Sequence, residues 1–157
     1  MRIQLWQIGG MALAWLAPWH AHAALGGLPF AAGVSAQVDA RVASYRSVQA
    51  GQGYRVYPVE LNNGTLVQEF VDPSGQVFAL RWSGPGLPDM GMLLGAHLPT
   101  FKASVQAAKQ AGKRGGPVVV QSGGLVLLST GAMGAFQGYA YLQALVPQGL
   151  DVQSLLK

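Results

Sequence analysis

The sequence predicts an α+β domain, in which an antiparallel sheet of about six strands, arranged as two three-stranded meanders, carries helices on one face. Three observations lead to this prediction. Two sets of three short apolar runs are separated by turn residues, an amphipathic segment precedes each set, and half of the 157 residues are hydrophobic. Helices segregated to one face of an antiparallel sheet suit this order of elements, and the length suits a single core.

The first 23 residues have the three parts of a secretory signal peptide. Arg2 supplies the positive charge, residues 8–17 are apolar, and residues 21–23 form an A-x-A cleavage pattern. An uncleaved membrane anchor is the alternative, but the apolar run is well short of the ~20 residues that span a bilayer, and Pro18 ends it. We therefore expect cleavage after Ala23.

Export sets the expected compartment and limits the available chemistry. Cleavage would leave residues 24–157 as one α+β domain, periplasmic or secreted, with no membrane span. The chain has no cysteine, so disulfides, thiolate metal ligands and a lipid-modified N-terminal cysteine are excluded. His97 would be the one histidine left after cleavage.

The expected domain begins with an arm and a short helix. Residues 24–33 contain too much glycine and proline for a regular element. Val34, Val38 and Val42 then recur every four residues among polar neighbours, which predicts a short amphipathic helix.

The strongest local signal is a β-hairpin. Residues 54–61 and 65–71 are strand-like runs joined through Asn63-Gly64, a dipeptide typical of two-residue hairpin turns. With that two-residue loop, Tyr57 would face Phe70 on a buried side of the hairpin.

A third strand completes the first predicted meander. The turn at residues 72–75 (DPSG) precedes residues 76–82, where alternation places Phe78, Leu80 and Trp82 on one side. We expect Trp82 to anchor the core of this meander.

A helix and three more strands follow. Asp89 is well placed to cap the helix, and Pro99 predicts a kink or two abutting helices. The apolar stripe of this helix comprises Met90, Leu94, Leu98, Phe101, Val105 and Ala108. Strand candidates then occupy residues 117–121, 125–130 and 135–142.

Six stretches of the chain carry a resemblance to a known family. They are residues 63–82 (NGTLVQEFVDPSGQVFALRW), Gly84-Pro85, Leu87-Pro88-Asp89, Leu93-Leu94-Gly95, residues 24–27 (ALGG) and residues 134–142 (GAFQGYAYL). Together they resemble an exported proteobacterial family known as domain of unknown function 2844. The resemblance covers most of the expected mature chain, and it implies a periplasmic bacterial protein without assigned catalytic residues.

His97 is the only imidazole on which catalysis in the mature chain could rely. A Ser-His-Asp hydrolase would have to use it, with Asp89 as the nearest acid in sequence. No G-x-S-x-G elbow and no histidine metal spacing accompany it. We favour a partly buried structural histidine at the edge of the helix stripe.

Glu60 and Glu69 lie on neighbouring strands of the predicted hairpin. The two-residue loop would place both on the face opposite Tyr57 and Phe70. Two carboxylates can hydrolyse glycosides, with their separation deciding the mechanism. Such pairs more often form the solvated face of a hairpin, and we favour that interpretation.

Two further motifs are better explained as turns. Residues 112–116 (GKRGG) lack the earlier glycine and the Ser or Thr after the lysine that a P-loop requires. Asn63-Gly64-Thr65 fits a glycosylation sequon, but the hairpin turn explains it better.

Lys102, Lys109 and Lys113 share one side of the predicted helix, and Arg114 follows them. These cations could bind a polyanion such as membrane phosphate, lipopolysaccharide or nucleic acid. The alternative, which we favour, is a solvated face whose lysine stems cover the core, because no aromatic residues are interleaved.

These observations favour an exported, periplasmic, non-enzymatic protein that acts by binding or assembly in the bacterial envelope. We expect its partner to be an envelope component or another protein, and we expect no catalytic residue, cofactor, metal or specific nucleic-acid binding. Two alternatives stay open: a small hydrolase using His97, and a polyanion or membrane-surface binder using Lys102, Lys109 and Lys113.

Overall fold

The computed structural model describes residues 25–30, 42–45, 49–51, 53–113 and 115–156. The predicted signal peptide over residues 1–23 lies outside these ranges, as does Arg114. Most of the helix predicted around Val34 and Val38 also lies outside them, and its last residue, Val42, begins a strand.

Eight strands and three α-helices occupy the described ranges. The strands are β1 (Val42–Tyr45), β2 (Gln49–Gly51), β3 (Tyr54–Leu61), β4 (Leu66–Val71), β5 (Val77–Gly84), β6 (Val118–Ser122), β7 (Leu125–Ala132) and β8 (Ala135–Leu142). The helices are α1 (Met90–Leu94), α2 (Leu98–Gln110) and α3 (Val152–Leu156). None of these helices is long and apolar enough to cross a bilayer.

All eight strands belong to one antiparallel sheet. Seven of them follow the order β1-β3-β4-β5-β8-β7-β6, and β2 pairs with the other end of β3, beside β1. The predicted antiparallel sheet and α+β content are confirmed. The sheet has more strands than the predicted six, and pairing of β5 with β8 makes it continuous, so it does not divide clearly into two meanders.

The β3–β4 hairpin has a three-residue loop, so the predicted register is wrong by one residue. The Leu61 N–H donates to the Thr65 carbonyl at 2.9 Å, which leaves residues 62–64 in the loop. Tyr57 is therefore opposite Glu69, and not opposite Phe70 as the two-residue loop required. A one-residue slip moves every side chain of one strand to the other face relative to its partner, which places the two glutamates on opposite faces.

A bulge in β5 corrects a second prediction. Phe70 pairs with Ala79 and Val71 pairs with Val77, which leaves Phe78 as the extra residue. Leu80 and Trp82 share one face of the sheet as predicted, but Phe78 packs in the core on the opposite face.

Both faces of the sheet are buried, each under different elements. Residues 25–30 and α1 cover the first face, here named the arm face, where Leu25, Leu93 and Leu94 pack on the sheet. The short helix α3 covers part of the second face, here named the α3 face, through Val152 and Leu156. The short helices are thus divided between the faces, whereas the sequence predicted helices on one face.

The N-terminal arm is held by backbone hydrogen bonds. The Leu25 N–H donates to the Leu93 carbonyl at 3.0 Å, and the Gly26 N–H donates to the Val77 carbonyl at 2.8 Å. The Val77 N–H donates to the Gly27 carbonyl at 2.9 Å. Because β8 does not pair with Val77, the backbone edge of β5 is free at this residue, and the arm forms its hydrogen bonds there.

The helical region matches its prediction in outline. Oδ1 of Asp89 accepts from the N–H groups of Gly91 at 2.7 Å and Met92 at 3.2 Å, which caps α1. A 3₁₀ turn over Gly95–His97 separates α1 from α2, and Pro99 lies in the first turn of α2, where a missing N–H costs nothing. The abutting helices predicted from Pro99 are therefore present.

Candidate functional site

The predicted lysine face borders a groove between α2 and β6. This groove has a cavity volume of about 210 Å³. Val105 and Ala108 of α2 form one wall, and Pro117 and Val118 form the other. These side chains make the walls of the groove partly apolar.

A glycine-terminated helix end brings two lysines to this groove. The Lys113 N–H donates to the Ala108 carbonyl and the Gly112 N–H donates to the Lys109 carbonyl, each at 3.0 Å. These two bonds form a Schellman motif, in which Gly112 has the left-handed φ of 78° that a side chain would disfavour. The chain turns back there, and Lys109 and Lys113 both line the groove.

The electrostatics of the groove favour an anion. Both lysines are exposed, and no carboxylate lines the groove among the described residues. The two lysines lie at the C-terminal end of α2, where the helix dipole favours positive charge without neutralising it.

Lys102 is separated from this pair. It is exposed on α2, seven residues before Lys109, about 10 Å away along the helix axis, and it does not line the groove. The structure therefore divides the three predicted lysines into a groove pair and one outlying charge.

His97 ends the 3₁₀ turn and is half-buried, as a structural histidine at the helix edge would be. Its Nε2 atom lies 3.8 Å from the position that a Cβ on Gly26 would occupy, so the imidazole is next to the arm. Oδ1 of Asp89, the acid considered as its catalytic partner, caps α1. The His97 hydrolase stays an untested prediction.

Glu60 and Glu69 lie on opposite faces of the sheet. Glu69 pairs with Tyr57 on the arm face, whereas Glu60 pairs with Leu66 on the α3 face. Two carboxylates separated by a sheet cannot flank one glycosidic bond. The predicted solvated pair is also wrong, because Glu69 is 0% exposed.

Glu69 instead holds the arm. The Phe30 N–H donates to both carboxyl oxygens of Glu69, at 3.2 and 3.1 Å. Burial raises the pKa of Glu69 to about 8, and the Phe30 hydrogen bond only partly offsets this effect. Near neutral pH, the native protein therefore holds a largely protonated carboxyl group beneath its N-terminal arm.

The sequence did not predict the burial of Glu69, because β4 is apolar on both faces. Leu66 and Phe70 point to one face and Val67 and Val71 lie near the other, so the pattern alone does not say which face receives Glu69. The run Asn62-Asn63-Gly64 was the available signal, since three turn-forming residues permit a longer loop.

No metal-binding cluster of three or more His, Cys, Asp or Glu side chains occurs in the part of the chain that the structure describes. This finding concerns only those residues.

Comparison with known proteins gives a family. A family model described as a protein of unknown function, DUF2844, matches residues 21–155. The chain belongs to the DUF2844 family. The DUF2844 match extends from before the arm to the last turn of α3, so it includes the whole sheet, and it confirms the family resemblance of the sequence.

No curated protein and no solved structure matches this DUF2844 chain at a significant level.

Proposed function

We propose that this DUF2844 protein is an exported, non-enzymatic binding protein of the bacterial envelope. In this proposal it holds a phosphate-bearing envelope lipid in the groove between α2 and β6. The supporting observation is the pair Lys109 and Lys113, which line a partly apolar groove that has no carboxylate among its described lining residues.

The chemistry of the groove fits a lipid headgroup better than a large folded partner. Two ammonium groups can bind one phosphate as point charges, and lysine is a common phosphate ligand. Val105 and Pro117 give the walls an apolar character, and Val119 at the rim is 60% exposed. An amphiphile can satisfy both kinds of surface at once.

Export supports the same role. The signal peptide predicted over residues 1–23 would deliver the protein to the compartment where anionic lipid and lipopolysaccharide are exposed. Removal of Arg2 with the signal peptide would lower the formal charge from +4 to +3, which still favours approach to such a surface.

Vesicle binding tests this function. The protein should sediment with phosphatidylglycerol vesicles and remain in solution with phosphatidylcholine vesicles. Changing Lys109 and Lys113 together to Gln should abolish most of this binding. The matched control changes Arg55 and Lys102 to Gln, because it removes two exposed cations away from the groove.

Two results would contradict the proposal. One is equal binding to both kinds of vesicle. The other is equal loss of binding in the two double variants, which would indicate diffuse attraction by net charge.

A further inference from the structure

A second depression lies on the α3 face, away from the lysine groove. It has a cavity volume of about 240 Å³ and is bordered by the end of α3 at Leu156. The strand register places Arg81 opposite Tyr139 and Ser83 opposite Gln137, and Thr130 is opposite Gln137 on its other side. Paired residues have Cβ atoms about 5 Å apart, so these side chains form one patch.

Arg81 is the only cation that lines this depression among the described residues. Its side chain is half-buried. No carboxylate is among the described residues that line the depression. Glu60 is on the same face but on β3, two strands away from β5, a backbone separation of about 10 Å.

Tyr139 is held in place beside Arg81. Its ring stacks on that of Tyr141, with centroids 6.4 Å apart and planes inclined by 24°. Tyr141 is buried in the core of the α3 face, so this contact restrains the Tyr139 ring. With Leu128 and Leu156, that ring gives the depression an apolar side.

We propose that this depression binds a small organic carboxylate with an apolar body. The Arg81 guanidinium presents two parallel donors, which match the two oxygens of a carboxylate. The hydroxyl groups of Ser83 and Thr130 supply further donors beside it. The apolar body of the ligand packs against Tyr139 and Leu128, which are half-buried and otherwise partly exposed to water.

Arginine is the group that makes this patch selective. Its planar fork distinguishes a carboxylate from a neutral alcohol of the same shape, whereas the apolar side accepts both. The inference does not depend on the lysine groove, because the two surfaces share no described lining residue.

The test is an NMR titration of the purified chain with 3-phenylpropionate, 3-phenylpropan-1-ol and inorganic phosphate. We expect saturable shifts for the carboxylate at residues around Tyr139 and Arg81. The alcohol and phosphate should bind at least about tenfold more weakly, since each lacks one half of the recognition.

Variants assign the binding to Arg81. Arg81→Gln should weaken the carboxylate about tenfold or more, and Arg81→Lys should restore only part of the loss, because it keeps the charge without the fork. Arg55→Gln, which removes an exposed arginine from β3, should leave the affinity unchanged.

Three results would overturn this inference. They are no saturable shift with 3-phenylpropionate, equal affinity for the alcohol, and an affinity that Arg81→Gln leaves unchanged while the spectrum still shows a folded protein.

Discussion

Glu69 couples the stability of the fold to pH. Its pKa of about 8 in the native protein lies above the ordinary value of 4.5. Between these pH values the native state retains a proton that the unfolded chain has lost. The contribution of the Glu69 carboxyl group to the free energy of unfolding is therefore fully present below pH 4.5. This contribution falls as the pH rises towards 8.

Replacing Glu69 by Gln should remove this pH dependence. The slope attributable to the carboxyl group is at most about 1.4 kcal/mol of unfolding free energy per pH unit, and Gln resembles its protonated form. Urea unfolding between pH 5 and pH 8 measures this slope for the wild type, for Glu69→Gln and for the control Glu60→Gln. Parallel pH profiles for the wild type and Glu69→Gln would show that the native carboxyl group is not protonated.

Trp82 is the predicted core anchor, and its burial is confirmed at 1% exposure. The indole lies against Gly138 on the paired strand, where an added Cβ would be 2.4 Å from its Cζ2 atom. Only glycine leaves room for this contact. The indole Nε1 is buried without a hydrogen-bond partner among the described residues.

Two substitutions of Trp82 should therefore differ in cost. Trp82→Ala should destabilise the protein by about 3–5 kcal/mol, because it leaves a large cavity. Trp82→Phe should cost clearly less, since it keeps an aromatic ring and removes an unpaired buried donor. Chemical denaturation of both variants measures the loss of unfolding free energy in each. Equal losses would mean that the indole N–H has a hydrogen-bond partner in solution.

The hairpin between β3 and β4 shows why an element can be predicted while its register is not. The Asn63-Gly64 signal correctly located the turn. Asn63 Oδ1 accepts from the Thr65 N–H at 3.0 Å within the loop, and the loop also depends on a tertiary bond, in which Thr65 Oγ1 donates to the Gly86 carbonyl at 2.6 Å. Gly86 is 21 residues away from Thr65, so no local rule includes this contact.

Thr65→Val tests the hydrogen bond that joins the hairpin loop to the loop after β5. Valine keeps the shape of this fully buried side chain but leaves the Gly86 carbonyl without its donor, which should cost about 1–3 kcal/mol. Thr100→Val at a half-buried helix position is the control. A urea midpoint equal to that of the wild type would show that water replaces the lost hydrogen bond.

The helical region was more predictable because its signals are local. Asp89 accepts from backbone groups two and three residues ahead, and Pro99 acts on its own turn. The predicted apolar stripe is less buried than expected, since α2 has no buried residue and only Leu98 and Phe101 pack against the core.

Across the whole molecule, the sequence indicated the sheet but not its extent or its faces. β4 and β5 are apolar on both sides because both faces are covered, so strict alternation is lost. The edge strands β1 and β2 are only four and three residues long, which is too short for a periodic signal. The family, by contrast, was evident from the motif-rich segment between residues 63 and 95.

The proposed export concerns the whole chain and has its own test. N-terminal sequencing of protein recovered from the envelope fraction should begin at Ala24, because Ala21 and Ala23 fit the small-residue positions before a signal-peptidase cut. A fraction confined to the cytoplasm and starting at Met1 would contradict both the proposed compartment and the domain boundary.

The salt dependence of vesicle binding tests the central claim, that Lys109 and Lys113 hold an anionic envelope lipid. On phosphatidylglycerol vesicles at about 0.1 M salt, Lys109→Gln with Lys113→Gln should lose about 2 kcal/mol of binding free energy, roughly thirtyfold in affinity. The difference from the wild type should shrink as salt screens the charges. A double variant that binds as tightly as the wild type at every salt concentration would contradict the account.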